Sequence, residues 1–350
     1  MRSVPPAPPG ARPSPVKPAA SVMASLYGAP PHALIERNHP VRPSTSRPSR
    51  RTLLTATAGA ALAAATLVPG TAHASSAGRG HGAASDAVRR LAGLERASGA
   101  RLGVYAYDSG SGRTVAYRAD ELFPMCSVFK TLSSAAVLRD LDRDGEFLSR
   151  RIFYTAKDVE RAGGAPETGK EENLANGMTV EELCEVSITA SDNCAANLVL
   201  RELGGPTAVT RFARSLGDRV TRLDRWEPEL NSAEPGRVTD TTSPRAITGT
   251  YGRLVLGDAL NPRDRRLLTG WLLANTTSGG RFRAGLPKEW TLGDKTGAGR
   301  HGTNNDAGVT WPPGRSPIVL TVLTTQPEED AVRDDGLVAD AARVLAETLG

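Results

Sequence analysis

The sequence predicts an α+β fold: an antiparallel sheet drawn from both ends of the chain and flanked by helices, with an all-α lobe inserted between. Two observations predict it. Strand-like alternation occurs at residues 101–117 and again at 290–324, while the long stretch between them carries helical spacing and helix-capping signals. Sheet edges need partners and hairpin-linked strands pair antiparallel, so strands at the two ends should meet in one sheet. The expected division is a leader over 1–74, an α/β lobe from 75–125 and 276–350, and an all-α lobe from 126–275. A cleft between two such lobes is a usual place for a binding site.

Taken in order, residues 1–48 are proline-rich and lack hydrophobic periodicity, and Ser49-Arg50-Arg51-Thr52-Leu53-Leu54 then opens an alanine-rich stretch ending at Ala72-His73-Ala74. Paired arginines before a mild apolar region, closed by A-x-A, predict an export signal of the twin-arginine type cleaved after Ala74. The stretch is rich in Ala, Thr and Gly, a weak composition for a membrane span, so no stable membrane anchor is expected after cleavage. The signal begins far from Met1, which leaves Met23 as an alternative start. Residues 84–99 read as an amphipathic helix, and Arg101–Tyr107 and Arg113–Tyr117 read as a hairpin around the turn at 108–112. The pattern is helical from Ser127 to about Thr276. Thr179 and Glu182 form a capping box, Ser243 caps a helix with Pro244 at its first position, and 261–275 repeats leucines at helical spacing. Strands return at Trp290–Thr296, Asp306–Trp311 and Pro317–Thr324, and a helix at 331–349 closes the chain.

Charge and composition exclude several function classes. The pI of about 9.3 comes from the leader. Removing its eight Lys/Arg and single Asp/Glu from the totals of 43 and 38 leaves 35 basic and 37 acidic residues, so the nucleic-acid footprint disappears. Three cysteines, Cys126, Cys184 and Cys194, are too few for a disulfide scaffold, and an odd number leaves at least one unpaired within the chain. Only His81 and His301 follow the leader, too few for the usual zinc hydrolase ligand set, and neither lies near a nucleophile elbow. Two phosphate-loop patterns also fail. Gly164–Lys170 has Glu171 where a magnesium-binding hydroxyl should stand, and Gly297–Gly302 is followed by a strand where a helix N-terminus would be needed.

Chemistry concentrates elsewhere. Ser127 and Lys130 share a helix face at i and i+3, a spacing that can serve a nucleophile with its own base or simply a capping serine beside a solvated lysine. Ser191-Asp192-Asn193 follows 64 residues beyond Ser127, and Lys295-Thr296-Gly297 lies on the first C-terminal strand. S-x-x-K, S-D-N and K-T-G together are the signature of class A β-lactamases and penicillin-binding proteins. With Arg225-Trp226-Glu227-Pro228-Glu229-Leu230-Asn231 and Asp240, which look like the family's Ω-loop, residues 84–350 resemble a class A β-lactamase.

The resemblance implies a β-lactamase/penicillin-binding-protein-like fold and hydrolysis of the β-lactam amide of penicillins and cephalosporins through a Ser127 acyl-enzyme, deacylated by a water that Glu227 activates. Lys130 and Glu227, the latter through a water, remain alternative acylation bases, and both are expected within hydrogen-bond reach of Ser127. The backbone N–H groups of Ser127 and Ala298 would form the oxyanion hole. Ser191 would pass a proton to the leaving nitrogen, Asn193 would bind the acylamide, Asn231 would orient the water, and Lys295 and Thr296 would meet the substrate carboxylate. Many members place an arginine on the strand after K-T-G, where this chain has Asn304-Asn305-Asp306, so Arg281 is expected to supply the guanidinium instead. Arg225 and Asp240 should close the loop as an ion pair, with Glu227-Pro228 cis. Ser134 stands where relatives pair a cysteine with the one at Cys184, and Gly299 where some pair one with Cys126, so neither bridge is expected. No cofactor is needed, the partner is a small-molecule β-lactam, and a secreted monomer is expected. A D,D-peptidase would share Ser127, Lys130 and K-T-G, and a penicillin sensor would share the acylation. Glu227 and Asn231 argue against both, because only a deacylating enzyme must hold a water against the ester.

Overall fold

The computed structural model describes residues 76–350, with side chains from residue 82, and Ala74–Gly350 forms one compact unit. The expected leader, with its twin-arginine-type motif and expected cleavage after Ala74, lies outside the described residues. Helix α1 (Ser76–Ser98) leads into β1 (Arg101–Asp108) and β2 (Thr114–Tyr117). The short β3 (Phe123–Pro124) precedes a 3₁₀ turn at Cys126–Phe129, which runs straight into α2 (Lys130–Ala136) and a π-helical turn at Val137–Leu141. Next come α3 (Glu146–Ser149), β4 (Arg151–Ile152), α4 (Ala156–Ala162), α5 (Glu171–Asn176), β5 (Met178–Thr179), α6 (Val180–Thr189), α7 (Asn193–Glu202) and α8 (Thr207–Ser215). A long loop carrying one 3₁₀ turn leads to β6 (Thr241–Thr242), α9 (Pro244–Val255) and α10 (Pro262–Leu273). The chain ends with α11 (Phe282–Gly285), β7 (Thr291–Ala298), β8 (Asn304–Trp311), β9 (Ile318–Thr325) and α12 (Asp335–Leu349).

The strands from both chain ends do meet. The order β2-β1-β9-β8-β7 is antiparallel throughout, and β1 pairs with β9 along its whole length, Arg101 opposite Thr325 and Asp108 opposite Ile318. Side-chain alternation divides the sheet between two cores. Leu102, Val104, Ala106, Leu320 and Val322 face a core shared with Leu91 of α1 and Val338, Ala342 and Leu345 of α12. On the opposite face, Ala307, Val309 and Val319 join the core of the helical part. Both faces are covered, which is why β8 and β9 are buried along nearly their whole length.

Helix α2 runs through the middle of the helical core with every residue buried. Its sequence, Lys-Thr-Leu-Ser-Ser-Ala-Ala, is small enough for close packing on all sides, and its hydroxyls find partners. Tyr251 donates to Thr131 at 2.8 Å, Ser133 donates to the Lys130 carbonyl, and Ser134 to the Cys184 carbonyl at 3.4 Å. The three cysteines are free and buried. The capping box of Thr179 and Glu182 and the Ser243 cap ahead of Pro244 form as the sequence indicates. Two features go beyond it: α1 starts at Ser76, and the mostly helical segment holds the two-residue ribbon β4–β5 and the strand β6, which pairs with β3.

Candidate active site

Four segments converge where the helical core meets β7. The first is the 3₁₀ turn, in which residues three apart stack directly, so Ser127 and Lys130 share one side. Cys126, just before Ser127, has φ +47°, a strained value that aims the following residue into the cleft. Gly297 lets β7 approach this turn, since a Cβ there would lie 2.9 Å from the Met125 carbonyl and 3.2 Å from Val128 Cγ2.

The second segment is the loop before α7. Ser191, at φ +57°, turns its carbonyl and its hydroxyl toward different lysines. Asp192 caps α7 through the Ala195 N–H at 2.8 Å and accepts the Thr168 N–H at 2.8 Å and the Glu167 N–H at 3.0 Å, so it builds the loop and stays out of the cleft.

The third is the loop over 224–240, with Asp240 at its neck. Its Oδ1 accepts the Asp224 and Arg225 N–H groups at 2.7 and 3.0 Å, and its Oδ2 takes Arg225 Nε at 2.5 Å. The Glu227-Pro228 bond is cis. Asn197, one turn beyond Asn193 on α7, clamps Glu227 from both sides: its Oδ1 accepts the Glu227 N–H at 3.0 Å and its Nδ2 donates to the Glu227 carbonyl at 2.9 Å.

The fourth is β7 with its K-T-G. Lys295 is fully buried and donates to Ser191 Oγ at 3.0 Å and to the Thr296 carbonyl at 2.9 Å. Burial, and then the positive charge of Lys130, hold its ammonium well below the usual lysine range. Thr296 Oγ1 shares a hydrogen with Thr277 Oγ1 at 2.5 Å, and Ala298 is the last residue of the strand.

These segments form one connected network. Lys130 Nζ donates to Asn193 Oδ1 at 2.6 Å and to the Ser191 carbonyl at 2.8 Å, and it pairs with Glu227 Oε1 at 3.1 Å. Ser127 Oγ reaches the same Glu227 oxygen at 3.4 Å. Glu227 Oε2 accepts from Asn231 Nδ2, whose Oδ1 is buried with no protein partner. The Lys130 ammonium thus has three acceptors, Asn193 Oδ1, the Ser191 carbonyl and Glu227 Oε1, while the Ser127 hydroxyl donates to Glu227. Asn193 is also largely engaged, because its Nδ2 donates to the Ala162 carbonyl at 3.2 Å and one N–H remains for a ligand.

Arg281 reaches the site from behind. Its Nη1 donates to the Gly297 and Asn305 carbonyls at 3.2 and 2.9 Å, and its Nε pairs with Asp335 at 3.0 Å. Nη2 has no partner among the described residues. Asn305, on the strand that lacks an arginine, donates to the Pro124 and Met125 carbonyls and so supports the turn that carries Ser127. His301 lies in the β7–β8 turn against the Pro327 carbonyl, and so takes no part in a triad. Asn197, Thr277 and Asp335 were invisible to motif reasoning, because each acts through a contact far away in sequence.

Fold and site together define a serine hydrolase that works through an acyl-enzyme. The comparisons agree: the model of the beta-lactamase enzyme family matches residues 84–349, and the chain belongs to that family as a class A serine β-lactamase. It is 88% identical over 314 residues to a β-lactamase of Streptomyces albus G, covering 89% of this chain and 100% of that one. To a β-lactamase of Streptomyces lavendulae it is 67% identical over 305 residues, covering 87% and 98%. The solved structure of the Streptomyces albus G β-lactamase superposes with a TM-score of 0.75 at 90% identity, over 76% of this chain and 100% of the other. A β-lactamase structure from Desulfarculus baarsii gives 0.74 at 43% identity, over 76% and 98%. The protein hydrolyses β-lactams through a serine acyl-enzyme, the chemistry of resistance to these antibiotics.

Proposed function

We propose that Ser127 is the nucleophile, Glu227 the group that draws off its proton through a water, and the same Glu227 with Asn231 the pair that activates the deacylating water. The observation that carries this reading is the Glu227 carboxylate. It is 2% exposed, lies within reach of Ser127, and sits beside the orphaned Asn231 Oδ1, which offers a water its second acceptor. Lys130, with its donors committed to Ser191, Asn193 and Glu227, acts as the fixed cation that stabilises charge as the serine attacks. Backbone N–H groups of Ser127 and Ala298 hold the oxyanion, and loss of one such donor typically costs ~10²–10³ in rate. Ser191 carries the proton from the Lys295 side of the network to the departing nitrogen. Lys295, Thr296 and the free Nη2 of Arg281 receive the substrate carboxylate, while Asn193 gives its remaining N–H to the acylamide.

The same reading places catalysis in a cleft between an α/β lobe of 75–125 and 276–350 and an α lobe of 126–275, in a monomer exported by the twin-arginine route and cleaved after Ala74. No described helix is long and apolar enough to cross a membrane. Mixing the mature protein with a chromogenic cephalosporin tests the central part. Sustained turnover is expected, and a stable adduct on Ser127 with a single turnover would favour a peptidase or a sensor.

A further inference from the structure

Behind the K-T-G strand lie two aspartates that none of the steps above uses. Asp294 on β7 and Asp306 on β8 are both fully buried. Thr296 pairs with Asp306, so Asp294, two residues before Thr296, lies on the same face of the sheet and diagonal to Asp306. Counter-charge is scarce there. Arg283 Nη2 reaches Asp294 Oδ1 only at 3.5 Å, and Asp306 Oδ2 accepts the Phe282 N–H at 3.3 Å. Asp306 Oδ1 is buried with no partner if both groups are carboxylates. Two adjacent buried anions with an orphaned oxygen are costly, and one proton removes both costs, since a carboxyl O–H on one donates to the other. Burial, then for Asp306 the charge of Asp294, pushes both groups above the usual aspartate range. The charged and titratable groups around them are Arg281 just before α11, Arg283 within it, Lys295 on the opposite face of β7, Asp335 at the start of α12, and Tyr251 of α9.

Both aspartates lead to the substrate side. Asp306 holds the N–H of Phe282, the residue next to Arg281. Asp294 Oδ2 accepts Asn275 Nδ2 at 3.0 Å, Asn275 Oδ1 accepts the Thr277 N–H at 3.1 Å and hydroxyl at 2.8 Å, and Thr277 Oγ1 meets Thr296 Oγ1. We propose that Asp294 and Asp306 carry one proton between them and form a positioning pair, setting Arg281 through Phe282 and Thr296 through Asn275 and Thr277 to receive the substrate carboxylate. The pair bears one net negative charge, joined by a single O–H···O bond, and passes its proton to no other group. This rests on the reading of Arg281 and Thr296 as the carboxylate anchor.

Infrared difference spectra of the free enzyme, with and without isotope-labelled aspartate, test the proton directly. At neutral pH the parent is expected to show a protonated-carboxyl C=O band that Asp294→Asn and Asp306→Asn both lose. Kinetics test the positioning. Asp306→Asn, whose amide N–H replaces the shared proton, should keep KM for a penicillin within about twofold, while Asp306→Ala raises it about tenfold with a smaller change in kcat. Absence of the band in the parent, or a KM for Asp306→Asn raised as far as that of Asp306→Ala, would overturn the proposal. Should Asp306→Ala not fold, the parent band and Asp306→Asn still decide. An unchanged KM in Arg281→Ala would instead bring down the anchor reading, and the band would still decide the proton.

Discussion

Two buried lysines flank Ser191, and their surroundings give them different work. Lys130 meets a carboxylate and two further acceptors, whereas Lys295 has only a hydroxyl and a carbonyl in hydrogen-bond contact. Burial and the neighbouring Lys130 therefore depress the Lys295 ammonium well below the usual lysine range. The sign is that of a cation disfavoured in the folded state. Its charge costs stability below the folded pKa, and that cost is relieved as pH rises toward the ordinary lysine value. For binding the direction reverses, since a neutral lysine no longer attracts the substrate carboxylate. KM for a penicillin should rise along an alkaline limb while kcat changes less, and Lys295→Arg, whose guanidinium does not titrate, should lack the Lys295 part of that limb. In the proposed mechanism Arg281 shares that contact through its Nη2. Arg281→Ala is expected to raise KM several-fold with a smaller effect on kcat, measured by steady-state kinetics on penicillins; an unchanged KM would show that the guanidinium does not touch the substrate.

Among the elements, the loop over 224–240 depends most on its neighbours. Asp240 and Asn197 hold its backbone, and the turn after β7 presses on it from the other side. A Cβ on Gly299 would lie 2.7 Å from the Asn231 carbonyl and 2.8 Å from Cys126 Sγ. The same carbonyl accepts the Arg300 N–H at 2.9 Å, so it has little room to yield. Gly299→Ala should push Asn231 and the loop outward and slow deacylation, seen as a lower kcat and a longer-lived acyl-enzyme in rapid-quench mass spectrometry. An unaltered acyl-enzyme lifetime would mean that the loop absorbs the methyl group elsewhere. The strands of the sheet were legible to within a few residues, because alternation and turn residues are local signals. The ribbons β3–β6 and β4–β5 were not, since two-residue strands carry no alternation, and the π-helical turn after α2 has no sequence marker either. Ser127, Lys130, Ser191, Glu227 and Lys295 could be found as motifs. Asn197, Thr277 and the Asp294/Asp306 pair could not, because their meaning lies wholly in which distant residue they meet.

Across the whole molecule, the pairing of β1 with β9 joins the two chain ends in one sheet, and the helical segment between them hangs from that sheet. This arrangement was legible because strands clustered at both ends can satisfy their edges only on one another. The leader is a separate matter, and its proposed role in export has its own test. Replacing Arg50 and Arg51 with lysine should leave activity inside the producing cell and remove it from the medium; equal activity in the medium would exclude the twin-arginine route. In the proposed mechanism, what separates this protein from a penicillin target is the Glu227 carboxylate, which meets Lys130, Asn197 and Asn231 beside Ser127. Intact-mass spectrometry of Glu227→Ala mixed with a penicillin tests that claim most directly. The adduct should persist on Ser127 in the variant while the parent returns to free enzyme; a variant that clears its adduct as fast as the parent would show that Glu227 does not drive deacylation.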